Sequence, residues 1–88
     1  MKLKKLKYSP TFLKGLKKLP KNQLKSLARQ EKIFLQNPLD PKLKTHKLKG
    51  DLKDFYAFSI SYRWRIVFHF ESSNTVVLDE VGTHEIYK

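Results

Sequence analysis

The alternation of apolar and polar positions is clearest in residues 55–70, whose sequence is FYAFSISYRWRIVFHF. Every even-numbered position there is aromatic or aliphatic, and most of the polar side chains fall on odd-numbered positions. A repeat of two is typical of β-strands that bury one face. Because these 16 residues exceed an ordinary strand, the segment predicts two strands joined by a tight reversal near Ser61 and Tyr62.

A helical repeat of apolar residues appears upstream of these strands. Ser9 is the expected N-cap of a first helix that starts at Pro10 and ends before Pro20. A second helix is expected over residues 22–36, because the chain then reaches Pro38. Its predicted apolar stripe consists of Leu24, Leu27, Ala28, Phe34 and Leu35. The two helices form a hairpin that must cover a sheet.

The remaining segments complete a mixed fold. Residues 2–8 predict an edge strand protected by lysines, and residues 39–53 a basic connection that is ordered only in part. Residues 75–81 predict the last strand, which Gly82 ends with a sharp turn. The expected fold class is α+β, in one domain spanning residues 1–88. It has an N-terminal strand, a two-helix hairpin and then a three-stranded antiparallel meander, with the helices packed on one face of the sheet.

The charge of the chain is strongly positive and unevenly distributed. Nineteen Lys and Arg residues outnumber eight Asp and Glu residues, which gives a net charge of +11. Residues 1–54 contribute 16 basic and 4 acidic side chains, whereas residues 55–88 contribute 3 and 4. The electrostatic field of so positive a chain attracts polyanions. Two alternatives are that the basic surface binds an acidic protein partner, or that the lysines only keep a small domain soluble.

Several classes of protein are excluded by what the sequence lacks. There is no cysteine for disulfides or thiolate metal sites, no glycine-rich phosphate loop, no nucleophile-elbow serine and no HExxH motif. The lysine-rich start has no continuous apolar stretch, and no run is long enough to span a membrane. We therefore expect a cytoplasmic protein that uses neither a metal nor a cofactor.

Candidate chemistry lies on the odd-numbered side of the strands and in the tail. Arg63 and Arg65 belong to that side, and His84 and Tyr87 follow Gly82. If the tail folds back, an imidazole, a phenol and a guanidinium share one groove, which suits metal-independent cleavage of RNA by its own 2′-hydroxyl. The alternative interpretation is a half-solvated sheet, a solvated histidine and a tyrosine that only packs.

The segments HKLKGDLKDFYAFSISYRWRIVF and VGTHEIY resemble the RelE/ParE superfamily of small toxins, and within it the RelE- and YafQ-like ribonucleases. The likeness covers nearly the whole chain. It implies a RelE-like fold and a messenger RNA interferase of a type II toxin–antitoxin system. Such a toxin cleaves the message in the A site of the 30S ribosomal subunit, and a cognate antitoxin protein inhibits it.

The same resemblance assigns roles by position. Arg65 resembles the strand arginine that contacts the scissile phosphate, and Arg63 would assist it. His84 occupies the tail position of a catalytic histidine or arginine, and we expect it to act as general acid. Tyr87 and His46 match a tail aromatic and a loop histidine. The lysines expected to bind RNA and the ribosome are Lys44, Lys47, Lys49 and Lys53.

The chain also departs from the pattern of the family. Ala57 and Ser59 lie where relatives place lysines or acidic and histidine side chains, and Arg63 replaces an aspartate. These departures leave the identity of the general base open. Two alternatives share the scaffold: a ParE-like inhibitor of DNA gyrase, and an inactive relative that only binds an antitoxin.

Overall fold

The computed structural model describes residues 2–83 of the chain. Two helices pack on one face of a five-stranded sheet whose strand order is β1-β5-β4-β3-β2. In chain order the elements are β1 (Lys5–Tyr8), α1 (Pro10–Lys18), α2 (Leu24–Gln36), β2 (His46–Lys47), β3 (Tyr56–Ser59), β4 (Trp64–Phe70) and β5 (Thr75–Thr83). β1 pairs in parallel with β5, and the other pairs are antiparallel. The predicted α+β fold is confirmed.

Helix α1 begins and ends where the sequence predicts. The backbone N–H of Phe12 donates to Ser9 Oγ at 3.0 Å, so Ser9 is the N-cap. The helix lies so close to β5 that a Cβ at Gly15 would sit 2.9 Å from the carbonyl oxygen of Val81. Glycine at this position is therefore what lets the helix approach the sheet.

The predicted apolar stripe of helix α2 is confirmed in part. Leu27, Phe34 and Leu35 contact the main core, whereas Ala28 and Leu24 are exposed and the polar residue Gln30 is buried. The reason is a polar anchor that a count of apolar residues does not detect. The Nε2 of Gln30 donates to the carbonyl oxygens of Ser59 and Lys42, at 2.9 and 3.2 Å.

The inner face of the sheet forms the main core with both helices. Phe34 stacks on Phe58, with ring centroids 4.4 Å apart, and meets Phe68 edge to face at 4.8 Å. Fifteen apolar side chains of the described residues are buried, which for so small a domain is a substantial core. The buried members of the main core are Leu3, Phe12, Leu19, Phe34, Leu43, Phe58, Ile60, Ile66, Phe68, Val76, Leu78 and Val81.

The outer face, which is the face of β3 and β4 that carries the odd-numbered side chains, is less polar than predicted. Ala57 and Val67 are buried there beneath Leu48, and Leu52 and Phe55 pack against them. Leu48 and Leu52 come from the basic connection, where β2 and two short 3-10 turns give the chain more order than its sequence indicated. Part of the outer face is therefore a second small core.

The reversal between β3 and β4 is confirmed at residues 60–63, and it preserves the two-residue repeat. Phe58 pairs with Ile66 on the inner face, and Ser59 pairs with Arg65 on the outer face. The repeat wrongly assigned Tyr62 to the apolar side, because the residue lies at the reversal and is 90% exposed. No helix in the part of the chain described is long and apolar enough to cross a membrane.

The predicted turn at Gly82 is wrong. β5 continues through Gly82 to Thr83, and Gly82 pairs with Arg65 of β4. The extra length is stabilised by pairing with β4, since Gly82 lies opposite Arg65 and Thr83 lies opposite Trp64.

Candidate functional site

Arg65 occupies the outer face of the central strand β4, between two small neighbours. Its partner on β3 is Ser59, and its partner on β5 is Gly82. Cross-strand partners lie about 5 Å apart and share a face of the sheet. Because neither neighbour carries a large side chain, the strands on both sides leave the half-buried guanidinium uncovered.

The guanidinium is oriented by the turn before β4. Nη1 donates to the carbonyl oxygens of Ser61 at 2.7 Å and of Trp64 at 3.2 Å. Both hydrogen bonds use the same nitrogen of the planar guanidinium group, which has five N–H donors. Nη2 and Nε are the donors that a phosphate group would engage.

A pocket of about 320 Å³ opens beside this arginine, at the end of the sheet, and we call it the Arg65 pocket. Three cationic side chains contribute to it, and the described residues of its wall include no carboxylate. Its lining residues are Gln30, Lys42, Lys44, Ser59, Ile60, Ser61, Tyr62 and Arg65. Positive charge in a concave site increases the local concentration of anions, so the pocket suits a phosphate.

Lys44 reaches this pocket because of an unusual backbone conformation. It ends the 3-10 turn Pro41–Leu43 with a φ of 54°, in the left-handed region that residues other than glycine seldom adopt. The preceding turn is capped by Asp40, whose Oδ1 accepts from the N–H of Lys42 at 2.9 Å. The turn therefore presents both lysines beside Arg65.

His46 lies farther along the same outer face. It pairs with Ala57, which pairs with Val67, so two strand spacings and two residues separate it from Arg65. Standard sheet dimensions make that separation about 12 Å between Cβ atoms. Its Nδ1 is 3.1 Å from the carbonyl oxygen of Lys44, which can only accept, so Nδ1 donates and Nε2 is the basic nitrogen of the neutral ring.

The structure places the other predicted residues less closely together. Lys47 and Lys49 are exposed and share a shallow depression of about 280 Å³ with His46. Arg63 is exposed in the turn before β4, and Lys53 is exposed after the 3-10 turn Gly50–Leu52. His84 and Tyr87 lie outside the described residues, so the predicted convergence of imidazole and guanidinium stays a prediction.

Several residues of the pocket were absent from the predicted site, among them Gln30, Lys42 and Tyr62. Gln30 and Lys42 are far from Arg65 in sequence and carry no motif. Tyr62 was detectable in principle, because the predicted reversal placed an aromatic residue where strand alternation cannot bury it. The side chain of Gln30 connects α2 to two other parts of the pocket, because it donates to the carbonyl oxygens of Lys42 and Ser59.

The opposite end of the outer face has acidic character. Asp79 and Glu80 line a second depression of about 320 Å³, together with Ser9, Thr11, Leu52, Phe55 and Val67. Asp79 Oδ2 is 2.7 Å from His69 Nδ1, so these two side chains are paired on the outer face. Burial raises the pKa of Asp79, and the hydrogen bond from His69 opposes that effect.

Comparisons with known proteins agree with this architecture. A family model described as "Bacterial toxin of type II toxin-antitoxin system, YafQ" matches residues 4–87. No curated protein matches the chain.

Solved structures share the fold at low sequence identity. A mutant of YafQ from E. coli is 20% identical, with a TM-score of 0.77 over 92% of this chain and 93% of that one. The E. coli DinJ-YafQ toxin-antitoxin complex gives 19% identity and a TM-score of 0.76 over 98% and 97%. The RelBE2 complex of Mycobacterium tuberculosis gives 18% and 0.74 over 90% and 95%. With nearly its whole length matched by the family model, the chain belongs to the YafQ family of bacterial type II toxin–antitoxin toxins.

Proposed function

We propose that this toxin is an endoribonuclease that cleaves messenger RNA in the A site of the ribosome without a metal ion. The observation that carries the proposal is the position of Arg65, on a central strand, between two small neighbours and at a cation-lined pocket. Such an arrangement can bind the scissile phosphate and stabilise the charge that develops on it.

The reaction needs proton transfers at two oxygen atoms. The 2′-oxygen attacks phosphorus and gives up its proton, the bond from phosphorus to the 5′-oxygen breaks, and that oxygen receives a proton. The products are a 2′,3′-cyclic phosphate and a 5′-hydroxyl. Arg65 contributes by donating hydrogen bonds to the non-bridging oxygens throughout, with Arg63 available from the adjacent turn.

We assign the general acid to His84. Thr83 pairs with Trp64 and Gly82 with Arg65, so β5 leads the chain to the arginine's end of the sheet. An imidazole has the proton affinity for acid catalysis near neutral pH, and Tyr87, three residues on, would stack on a base.

Among the residues that the structure describes, His46 is our candidate for the general base. Its Nδ1–H is directed at the carbonyl oxygen of Lys44, so Nε2 is the basic nitrogen. Ala57 and Ser59 provide no base on the neighbouring strand.

We also propose that an antitoxin protein is the inhibitory partner in the cytoplasm. The YafQ chain that this toxin resembles was solved in complex with DinJ, and the RelE-type relative was solved in the RelBE2 complex. The net charge of +11 favours an acidic segment of that partner across the basic surface.

The test is primer extension on messages bound to translating ribosomes. Wild-type protein should cut within codons in the A site, and Arg65→Ala or His84→Ala should each reduce the rate by about 10²-fold or more. Arg29→Ala, which removes an exposed guanidinium from α2, is the matched control and should retain the rate. Identical patterns with and without the wild-type protein would refute the proposal. Inhibition of gyrase supercoiling in a parallel assay, without RNA cleavage, would instead establish the ParE-like function.

A further inference from the structure

Tyr62 stands out from the other apolar side chains in the described part of the protein. It is 90% exposed, whereas the next most exposed large apolar residue, Leu39, is 58% exposed. It lies at the tip of the turn between β3 and β4, where its ring contributes nothing to the core. An aromatic face held in water at this position is available for a ligand.

The chemical surroundings of Tyr62 indicate the kind of ligand. Tyr62 lines the Arg65 pocket together with Lys42 and Lys44, and Arg63 is exposed next to it in the chain. Cations that bind a phosphate backbone, combined with an aromatic side chain, are the recurring arrangement of sites for single-stranded nucleic acid. The pocket's volume of about 320 Å³ is of the order of one nucleotide unit.

The turn that carries Tyr62 is held firmly on both sides. Ser61 Oγ donates to Gln23 Oε1 at 2.7 Å, and the N–H of Ile60 donates to the carbonyl of Trp64 at 2.9 Å. Arg65 Nη1 closes the same turn through the Ser61 carbonyl at 2.7 Å. Since the backbone is ordered before RNA arrives, little conformational entropy is lost on binding.

From these contacts we infer that Tyr62 is the stacking platform for an unpaired base adjacent to the phosphate bound by Arg65. This inference rests on the proposed function, because it names the nucleotide subsite of the same pocket. Arg65 binds the phosphate and Tyr62 fixes the base beside it, so Tyr62 is a positioning residue. Stacking tolerates every base and favours those with a larger π-face, so the subsite prefers purines modestly.

A binding experiment separates this inference from cleavage. The probe is a labelled 2′-O-methyl hexaribonucleotide, which lacks the attacking hydroxyl and is measured by fluorescence anisotropy. Tyr62→Phe should bind within about twofold of wild type, whereas Tyr62→Leu and Tyr62→Ala should bind about tenfold more weakly. Leu39→Ala, which shortens another exposed apolar side chain, should bind like wild type. Equal affinity of the wild type and Tyr62→Leu would overturn the inference.

An abasic scan of the hexamer then locates the stacked base. Removing that base should weaken binding to the wild type by the same factor as Tyr62→Ala, and it should not weaken binding to Tyr62→Ala further. Losses that add independently would overturn the inference. If the wild type binds as described but cuts no message on ribosomes, the proposed function fails while the stacking subsite stands.

Discussion

Asp79 shows how one irregularity in a strand changes the chemistry of a side chain. Val67 pairs with Glu80 and Phe68 with Leu78, so Asp79 is an extra residue in a β-bulge. Its carbonyl oxygen accepts from Ser9 Oγ at 2.7 Å, and its carboxylate is paired with His69. The bulge thus connects the N-cap of α1 to the outer face and partly buries a carboxyl group.

This burial predicts an unusual pH dependence of stability. Because the pKa of Asp79 is raised above 3.8, the folded state keeps its proton to a higher pH than the unfolded chain does. The free energy of unfolding therefore decreases as pH rises from about 3.8 through the pKa of Asp79 in the folded state. Asp79→Asn removes the ionisation and keeps an acceptor for His69.

Urea denaturation across this range measures the effect. The variant should gain stability relative to wild type as pH rises through the window, by less than about 1 kcal/mol because the carboxyl group remains partly solvated. A difference that does not vary with pH would contradict the assigned cause, and Asp40→Asn, which lies in a separate cap, provides the control.

Arg65 and Asp79 also differ in how far the sequence reveals them. The two-residue repeat predicted the outer-face position of Arg65, because it depends only on side-chain alternation. The partnership of Asp79 with His69 depends on a bulge, whose position is set by tertiary contacts with α1 that local pattern does not encode. Gln30 is hidden for the same reason, since its partners are backbone carbonyls of distant residues.

Among the elements, α1 depends most directly on a single small residue. Gly15 faces β5, where an added Cβ would meet both the carbonyl oxygen and Cγ1 of Val81 at 2.9 Å. In an exposed helix interior, alanine is about 1 kcal/mol more favourable than glycine. Here the clash involves backbone of the sheet and cannot be relieved by turning a flexible side chain.

We therefore expect Gly15→Ala to destabilise the protein despite the higher helix propensity of alanine. A net loss of about 1–3 kcal/mol is expected, as for other overpacked sites. Chemical denaturation followed by circular dichroism gives the value, with Lys17→Ala on the exposed face of α1 as the control for helix propensity. Unchanged or increased stability would mean that α1 can move away from β5 at little cost.

The elements that the sequence failed to predict are those with little local signal. β2 has two residues and exists through its pairing with Tyr56 and Ala57. The apolar residues Leu48 and Leu52, which cover the outer face, each stand between charged neighbours in the sequence, so the local pattern did not indicate their burial. By contrast, β1 and both helices were predictable from caps, prolines and repeats.

For the molecule as a whole, the charge changes sign along the outer face. Arg65 and its lysines occupy one end. Asp79 is paired with His69, four residues farther along β4, and Glu80 lies between them, opposite Val67. The exposed ion pair of Lys7 with Glu71, whose hydrogen bond lowers the pKa of Glu71, adds little to stability.

The change of charge along the outer face should orient an RNA backbone toward the Arg65 pocket and keep it away from the acidic side chains.

The distribution of lysines yields the last prediction, which concerns the docking surface. If the basic connection binds ribosomal or message phosphates, each contact releases counterions and adds about 0.7–0.9 to the slope of log affinity against log salt concentration. Replacing Lys47, Lys49 and Lys53 by Gln should then reduce the steepness by about two. The matched control replaces Lys14, Lys25 and Lys32 by Gln. These lysines are exposed on the two helices, and their replacement removes the same net charge.

Ribosome binding at several salt concentrations distinguishes local phosphate contacts from the long-range electrostatic attraction of the whole protein. Equal slopes for the two triple variants would mean that total charge, and not the basic connection, determines binding. A flatter slope for the connection variant alone would place the docked RNA along the path from His46 to Arg65. Since both variants have the same net charge, long-range attraction is the same and only the position of the lost contacts differs.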